Sequence, residues 1–309
     1  RADPHFLLEL QKYGAANIDA CFNCGNCSAV CPLSTEEDNF PRRMIRYTQL
    51  GMKEELLSSK ELWLCYYCGE CSATCPREAD PGELMAAARR YAIGRYDRLG
   101  IARRLFTSVA FTVLFLVGLA TALALFIYSF HGDMPGDTLR LFSFIPEEVV
   151  HNVGVVAGIL IVVTMAAGAV NMAVQVGRQA HLPKGARINC LAAARETLAE
   201  VFAQRRYRQG CTTGLEEKRK EETQAWYVSK WFVHAAILWG FLGLFLATIL
   251  DYLLALTGIK PTGTFVPIWD PVRLLGTLAG ILMVYGITTA IVRRVRKVDT
   301  ASAHSTPSD

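Results

Sequence analysis

The chain has 309 residues, of which 52% are hydrophobic and only 19% charged, with a formal net charge of +4. That is too apolar for an ordinary soluble protein, and no basic stripe with interleaved aromatics points to nucleic acid. Up to about Arg104 the sequence is mixed and rich in cysteine, and beyond it long charge-free runs alternate with polar connections. Three regions follow: a soluble domain over 1–100, a membrane domain over 101–298 and a tail over 299–309.

Two copies of one cysteine frame, C-x-x-C-x-x-C-x-x-x-C-P, open the chain, as CFNCGNCSAVCP from Cys21 and CYYCGECSATCP from Cys65. Three thiolates at this spacing wrap one iron-sulfur cube, and the fourth, before proline, reaches the other cube. One [4Fe-4S] cluster therefore takes Cys21, Cys24, Cys27 and Cys75, and a second takes Cys65, Cys68, Cys71 and Cys31. Zinc sites use looser pairs of C-x-x-C, and disulfide frameworks belong to oxidised secreted domains. Between the motifs, Pro41–Lys60 carries Met44, Ile45, Leu50, Leu56 and Leu57 at helical intervals. Pro81–Arg95 reads as a further helix, with Asp80 at the N-cap and Pro81 at the first helical position. The soluble domain is thus expected to be helical, because alternating β-branched runs are missing.

Four stretches without Asp, Glu, Lys or Arg have the length of membrane spans: 105–130, 152–177, 231–250 and 274–292. The connection 178–230 holds Arg205, Arg206, Arg208, Lys218, Arg219 and Lys220, and the end of the chain holds Arg293, Arg294, Arg296 and Lys297. The excess of positive charge places both on the cytoplasmic side. Nothing ahead of Cys21 resembles an export signal, so the iron-sulfur domain and both termini are expected on that side of an inner membrane. An amphipathic helix is expected at roughly Leu191–Arg206 within the cytoplasmic loop, and Cys190 and Cys211 fit no cluster motif.

Four of the six histidines lie at or near span ends. His131 and His151 belong to the outer side and His181 and His234 to the inner side, a distribution that suits two bis-histidine haem b groups. His151 and His234 are the stronger ligands, since an apolar helix follows each and an ionisable group inside a span needs a reason to be there. His151 and His181 are 30 residues apart. That is about 45 Å of helix, longer than the hydrocarbon core, so one of the two sits among the headgroups. Met165 or Met172 is an alternative axial ligand. No C-x-x-C-H motif allows covalent haem attachment, and no G-x-G-x-x-G follows a strand.

The doubled motif with its helical spacer resembles the C subunits of heterodisulfide reductases, whose fold is the α-helical ferredoxin type. Its fusion to a haem b membrane domain resembles the C subunits of quinone-interacting membrane-bound oxidoreductase (Qmo) complexes. Trp231-Phe232-Val233-His234, followed by Trp239-Gly240-Phe241, is similar to the haem-bearing helix of heterodisulfide reductase E and nitrate reductase gamma subunits. The gamma subunits have one more span than the four counted here. The fold class expected is all-α, an α-helical ferredoxin domain with two [4Fe-4S] clusters followed by a four-helix cytochrome b-type bundle. The resemblance implies electron transfer between menaquinone and Qmo A- and B-like flavin and iron-sulfur subunits, with adenylylsulfate reductase as the terminal partner in dissimilatory sulfur metabolism. Two further roles are open to such a sequence: the membrane anchor of a heterodisulfide reductase-like or hydrogenase complex, and a membrane redox sensor.

Overall fold

The computed structural model describes residues 2–15, 17–132, 145–178, 189–204, 225–259 and 267–298. Every regular element among them is helical. The chain divides into two compact units, one holding the described residues up to 178 and the other those from 189 to 298.

The first unit begins with α1 (Phe6–Gln11), a 3₁₀ turn (Ile18–Ala20) and α2 (Asn26–Ala29). There follow α3 (Arg42–Gln49), α4 (Lys53–Leu57), α5 (Glu61–Leu64), α6 (Glu70–Ala73), α7 (Pro81–Tyr96), α8 (Ile101–Thr107), α9 (Val109–Phe130) and α10 (Glu147–Arg178). The central element is α7: twelve of its sixteen residues are buried, and α1, α3, α5 and α6 pack around it. Its Leu84, Met85, Ala88 and Tyr91 meet Phe6, Leu10, Phe40, Met44, Ile45 and Leu56 in one core.

The stretch Pro41–Lys60 between the motifs forms two short helices, because the chain turns at Gly51 with φ +70°. Only glycine fits there, since a Cβ would lie 2.0 Å from the carbonyl oxygen of Asp3. The turn buries Met44, Ile45, Leu56 and Leu57 as the spacing requires but leaves Leu50 exposed. α7 starts at Pro81 as expected, yet Asp80 does not cap it with its side chain. Asp80 is left-handed, and the amide of Gly82 in the first turn bonds instead to the hydroxyl of Ser72, at 2.9 Å.

Among the described residues four helices are long and apolar enough to cross a membrane: Val109–Phe130, Glu148–Gly177, Lys230–Leu256 and Pro271–Val295. The first begins four residues later than the hydropathy suggests. Ser108 leaves the helical conformation and accepts the amide of Phe111 at 3.2 Å, so 101–107 is a separate helix. The other three run beyond their charge-free stretches by several residues. At the far end of α10, Asn171 donates to the carbonyl of Tyr96 at 3.1 Å, and Met172 packs against the core around α7. Met165, by contrast, is exposed.

The second unit contains α11 (Cys190–Ala203), a 3₁₀ turn (Trp226–Val228), α12 (Lys230–Leu256) and α13 (Pro271–Val295). Asn189, Ser229 and Asp270 cap the three helices by accepting amides of their first turns. α12 and α13 pack closely along small residues: a Cβ at Gly240 would lie 2.7 Å from the backbone nitrogen of Met283, and one at Gly286 3.0 Å from that of Ile237. α11 is a helix where one is expected over 191–206; it ends at Ala203, Gln204 is left-handed, and 205 and 206 lie outside the described residues. Its end meets α12, where the indole of Trp231 donates to the carbonyl of Ala203 at 3.1 Å.

Candidate metal centre

The two cysteine motifs build two loops of one shape. Asn23 and Tyr67, between the first and second cysteines, have φ +61° and +57°, and Gly25 and Gly69, after the second, have φ +92° and +88°. Such left-handed residues curl the backbone back on itself. The amides of Asn23 and Tyr67 then donate to the sulfurs of Cys21 and Cys65, each at 3.4 Å. The short helices α2 and α6 carry the third cysteine of each motif, followed by a serine in both. Ser28 accepts the amide of Arg42 at 3.3 Å, and Ser72 that of Gly82, so each serine ties its loop to the start of the next long helix.

Cys21, Cys24 and Cys27 line one cavity together with Cys75 from the second motif, walled by Arg42, Ile45 and Pro81. Cys31, from the first motif, lies among the second-motif thiols. Burial pushes its thiol up to about 11, and the neighbouring Cys65 and Cys68 add to the effect. Burial likewise raises Cys27, Cys65 and Cys71, and Cys71 feels Cys65, Cys68, Cys27 and Cys31 as well, so it stands between the two sets. Thiols raised in this way cannot ionise together unless a cation compensates them. The donor sets therefore suit iron-sulfur cubes, whose iron supplies that charge and whose ligands are cysteine thiolates. Among the described residues no three His, Cys, Asp or Glu side chains form a group able to hold a single metal ion. A cubane makes no such demand, because its thiolates bind different corners of the cube.

Several supporting groups were invisible in the motifs. Gln49 donates to the carbonyl of Cys21 at 3.0 Å and accepts from Asn23 at 2.8 Å. Arg89 donates to the carbonyls of Leu62 and Cys65. Tyr67 donates to Glu83 at 2.7 Å, and Glu83 pairs with Arg90 at 3.0 Å. Most of these groups lie far along the chain from what they hold, so no local pattern reveals them. The repeated Cys-Ser-Ala after each glycine turn was the one available signal for Ser28 and Ser72.

Gly82 also bears on this geometry. A Cβ there would lie 2.9 Å from the Ser72 hydroxyl and 3.8 Å from the Cys71 sulfur. Gly82→Ala should destabilise the domain by about 1–3 kcal/mol through overpacking. Iron bound per chain should fall, whereas Gly118→Ala, with open space around it, should leave the iron content unchanged.

The histidines are placed as follows. His131 ends α9, with Nδ1 against the carbonyl of Tyr128 and its ring stacked on the Tyr128 ring at 5.2 Å. His151 lies in the second turn of α10, partly exposed. His234, on α12, is exposed, with Nδ1 at 3.0 Å from Oε1 of Gln204. His181 lies outside the described residues, as does Cys211. Cys190 is exposed at the start of α11.

Residues 17–79 match the family model of the 4Fe-4S dicluster domain. The C subunit of the H(2):CoB-CoM heterodisulfide,ferredoxin reductase of Methanothermobacter marburgensis is 31% identical over 62 residues, 20% of this chain and 34% of the relative. A protein of Archaeoglobus profundus described as like the heterodisulfide reductase C subunit is 35% identical over 91 residues, 28% of this chain and 48% of the relative. The iron-sulfur C subunit of the CoB--CoM heterodisulfide reductase of Methanopyrus kandleri is 33% identical over 70 residues, 20% of this chain and 36% of the relative. The chain thus spans between a third and a half of the length of these curated relatives. No solved structure matches it. The first quarter of the chain is therefore a 4Fe-4S dicluster domain similar to that of heterodisulfide reductase C subunits.

Proposed function

We propose that this chain is the membrane-anchored electron-transfer component of a larger complex, linking the menaquinone pool to cytoplasmic flavin and iron-sulfur subunits of the Qmo A and B kind, with adenylylsulfate reductase beyond them. The observation that carries this reading is one cavity lined by three cysteines of the first motif and the last of the second, on a chain that also holds four span-length helices. Cys21, Cys24, Cys27 and Cys75 would hold one [4Fe-4S] cluster and Cys31, Cys65, Cys68 and Cys71 the other. Bound clusters supply one-electron oxidation and reduction. The chain's own part is to fix eight thiolates, shield seven of them at least partly from solvent and donate amide hydrogen bonds to sulfur, which stabilises negative charge there.

Residues 101–298 would form the membrane domain and 1–100 the cytoplasmic domain, with 299–309 as a tail. The bond from Asn171 to Tyr96 supports this arrangement, because it brings the end of the second span to the same domain from which the first span departs. The arginine-rich connections on that side support a cytoplasmic position for it. His234 suits an axial haem b ligand: the amide oxygen of Gln204 engages its Nδ1, as outer partners of metal-bound histidines do. His151, His131 and His181 would provide the remaining positions.

Purification from native membranes, followed by identification of copurifying subunits and reduction with a menaquinol analogue, tests the reading. Haem absorbance that responds to the quinol is expected, together with flavin-containing partners. A preparation without haem, or with haem that the quinol leaves oxidised, would sink the quinone-linked role. Within the same preparation, Cys68→Ser should remove about half of the iron-sulfur signal and leave haem absorbance unchanged.

A further inference from the structure

The two halves of the cysteine framework face different surroundings, and only one presents a thiol to solvent. Cys24 is exposed, whereas the other seven motif cysteines are partly or fully buried. Beside it Phe22 is 60% exposed, and the guanidinium of Arg77 lies over its ring at 6.0 Å while donating to the carbonyl of Ala20. An aromatic ring flanked by arginine is the pairing that protein interfaces use as an anchor. Electron-transfer encounters bury less than about 1,200 Å², so one such anchor with its rim suffices for a transient partner.

The second motif is reached from the opposite direction along the chain. Trp63, two residues before Cys65, lies against Tyr96 with ring centroids 6.0 Å apart. The carbonyl of Tyr96 accepts from Asn171 of α10, and Arg98 donates to the same Asn171 at 3.3 Å. The end of a span-length helix is therefore joined through Tyr96 and Trp63 to the loop that starts at Cys65.

We propose that the domain is polarised: the face at Phe22 and Cys24 docks a soluble protein carrying a one-electron redox centre near its own surface, while the Cys65 loop is the membrane-coupled side. This rests on the two-cluster reading above. The test uses the full-length chain in detergent, reduced and observed by paramagnetic resonance, with a soluble dysprosium chelate as relaxation probe. In the parent protein the chelate should relax about half of the spins, those of a single cluster. The relaxed signal should be the one missing from Cys24→Ser, and the unrelaxed signal the one missing from Cys68→Ser. In the complex purified with its soluble subunits, the Cys24-dependent signal should lose its access to the chelate.

Relaxation of the Cys68-dependent signal as strong as, or stronger than, that of the other would overturn the polarity. So would protection of the Cys24 face in the isolated chain that grows with its concentration, which would make the occupant a second copy. A Cys24-dependent signal still open to the chelate in the assembled complex would overturn the docking face. Should the parent protein bind iron and sulfide for one cube per chain instead of two, the two-cluster reading itself falls, and the polarity with it.

Discussion

An Arg90→Met chain is expected to lose a large part of the stability of its dicluster domain. Arg90 and Glu83 form a pair 3.0 Å apart whose side chains are each only 7% exposed. The guanidinium also donates to the carbonyl of Tyr13 at 2.6 Å, and the second carboxylate oxygen of Glu83 accepts the hydroxyl of Tyr67. Removing the cation leaves a carboxylate in the core with nothing to balance it, which costs about 3–5 kcal/mol. A small domain has only about 5–15 kcal/mol in total. The consequence extends beyond folding, because Tyr67 is the left-handed residue inside the second motif and Glu83 anchors its ring.

Denaturant unfolding, followed by the visible absorbance of the iron-sulfur chromophore, should show a much lower midpoint for Arg90→Met. The double variant Glu83→Gln with Arg90→Met should recover part of the loss, since it removes the stranded charge along with its partner. A midpoint for Arg90→Met equal to that of the parent would show that the buried pair does not hold this domain together.

Much of the dicluster domain could be read from residue types, because its devices are local. The helical spacing of Met44, Ile45, Leu56 and Leu57 anticipates their burial, and Pro81 marks the start of α7. Leu50 escaped that pattern because Gly51 ends the helix one residue later and sends the side chain outward. Asp80 looked like the cap of α7, but a serine eight residues earlier does the capping, and capping by a residue that distant leaves no sequence signature. The four long apolar helices were legible in their number, while Ser108 shows why the ends were not: one hydroxyl accepting one amide resets a helix start that hydropathy averages over. The groups that brace the cysteine loops, Gln49, Arg89 and Glu83, come from helices outside the motifs, so only the folded chain brings them to the cysteines.

Gly240→Leu should do in the second unit what Arg90→Met does in the first. α12 and α13 approach so closely that a Cβ at Gly240 would lie 2.6 Å from Cβ of Met283 and 2.8 Å from its Cα, and backbone cannot move aside as a side chain can. Helices in a membrane associate through close packing of this kind, because apolar burial gives no preference for a neighbour over lipid. An inserted isobutyl group must therefore separate the pair, at or beyond the upper end of the about 1–3 kcal/mol typical of overpacking. Separation would also break the bonds from Tyr285 to the carbonyl of Tyr227 and from Arg293 to that of Val228, which hold α13 to the turn leading into α12.

His234 lies six residues before Gly240 on the same helix, so any haem it holds should loosen as well. Gly280→Ala is the control, since its nearest neighbour is the flexible end of Leu244 at 3.8 Å. Thermal unfolding in detergent, read by circular dichroism, should fall sharply for Gly240→Leu and stay near the parent for Gly280→Ala. Equal melting of both variants would mean that the glycine contact is not what keeps the two helices together.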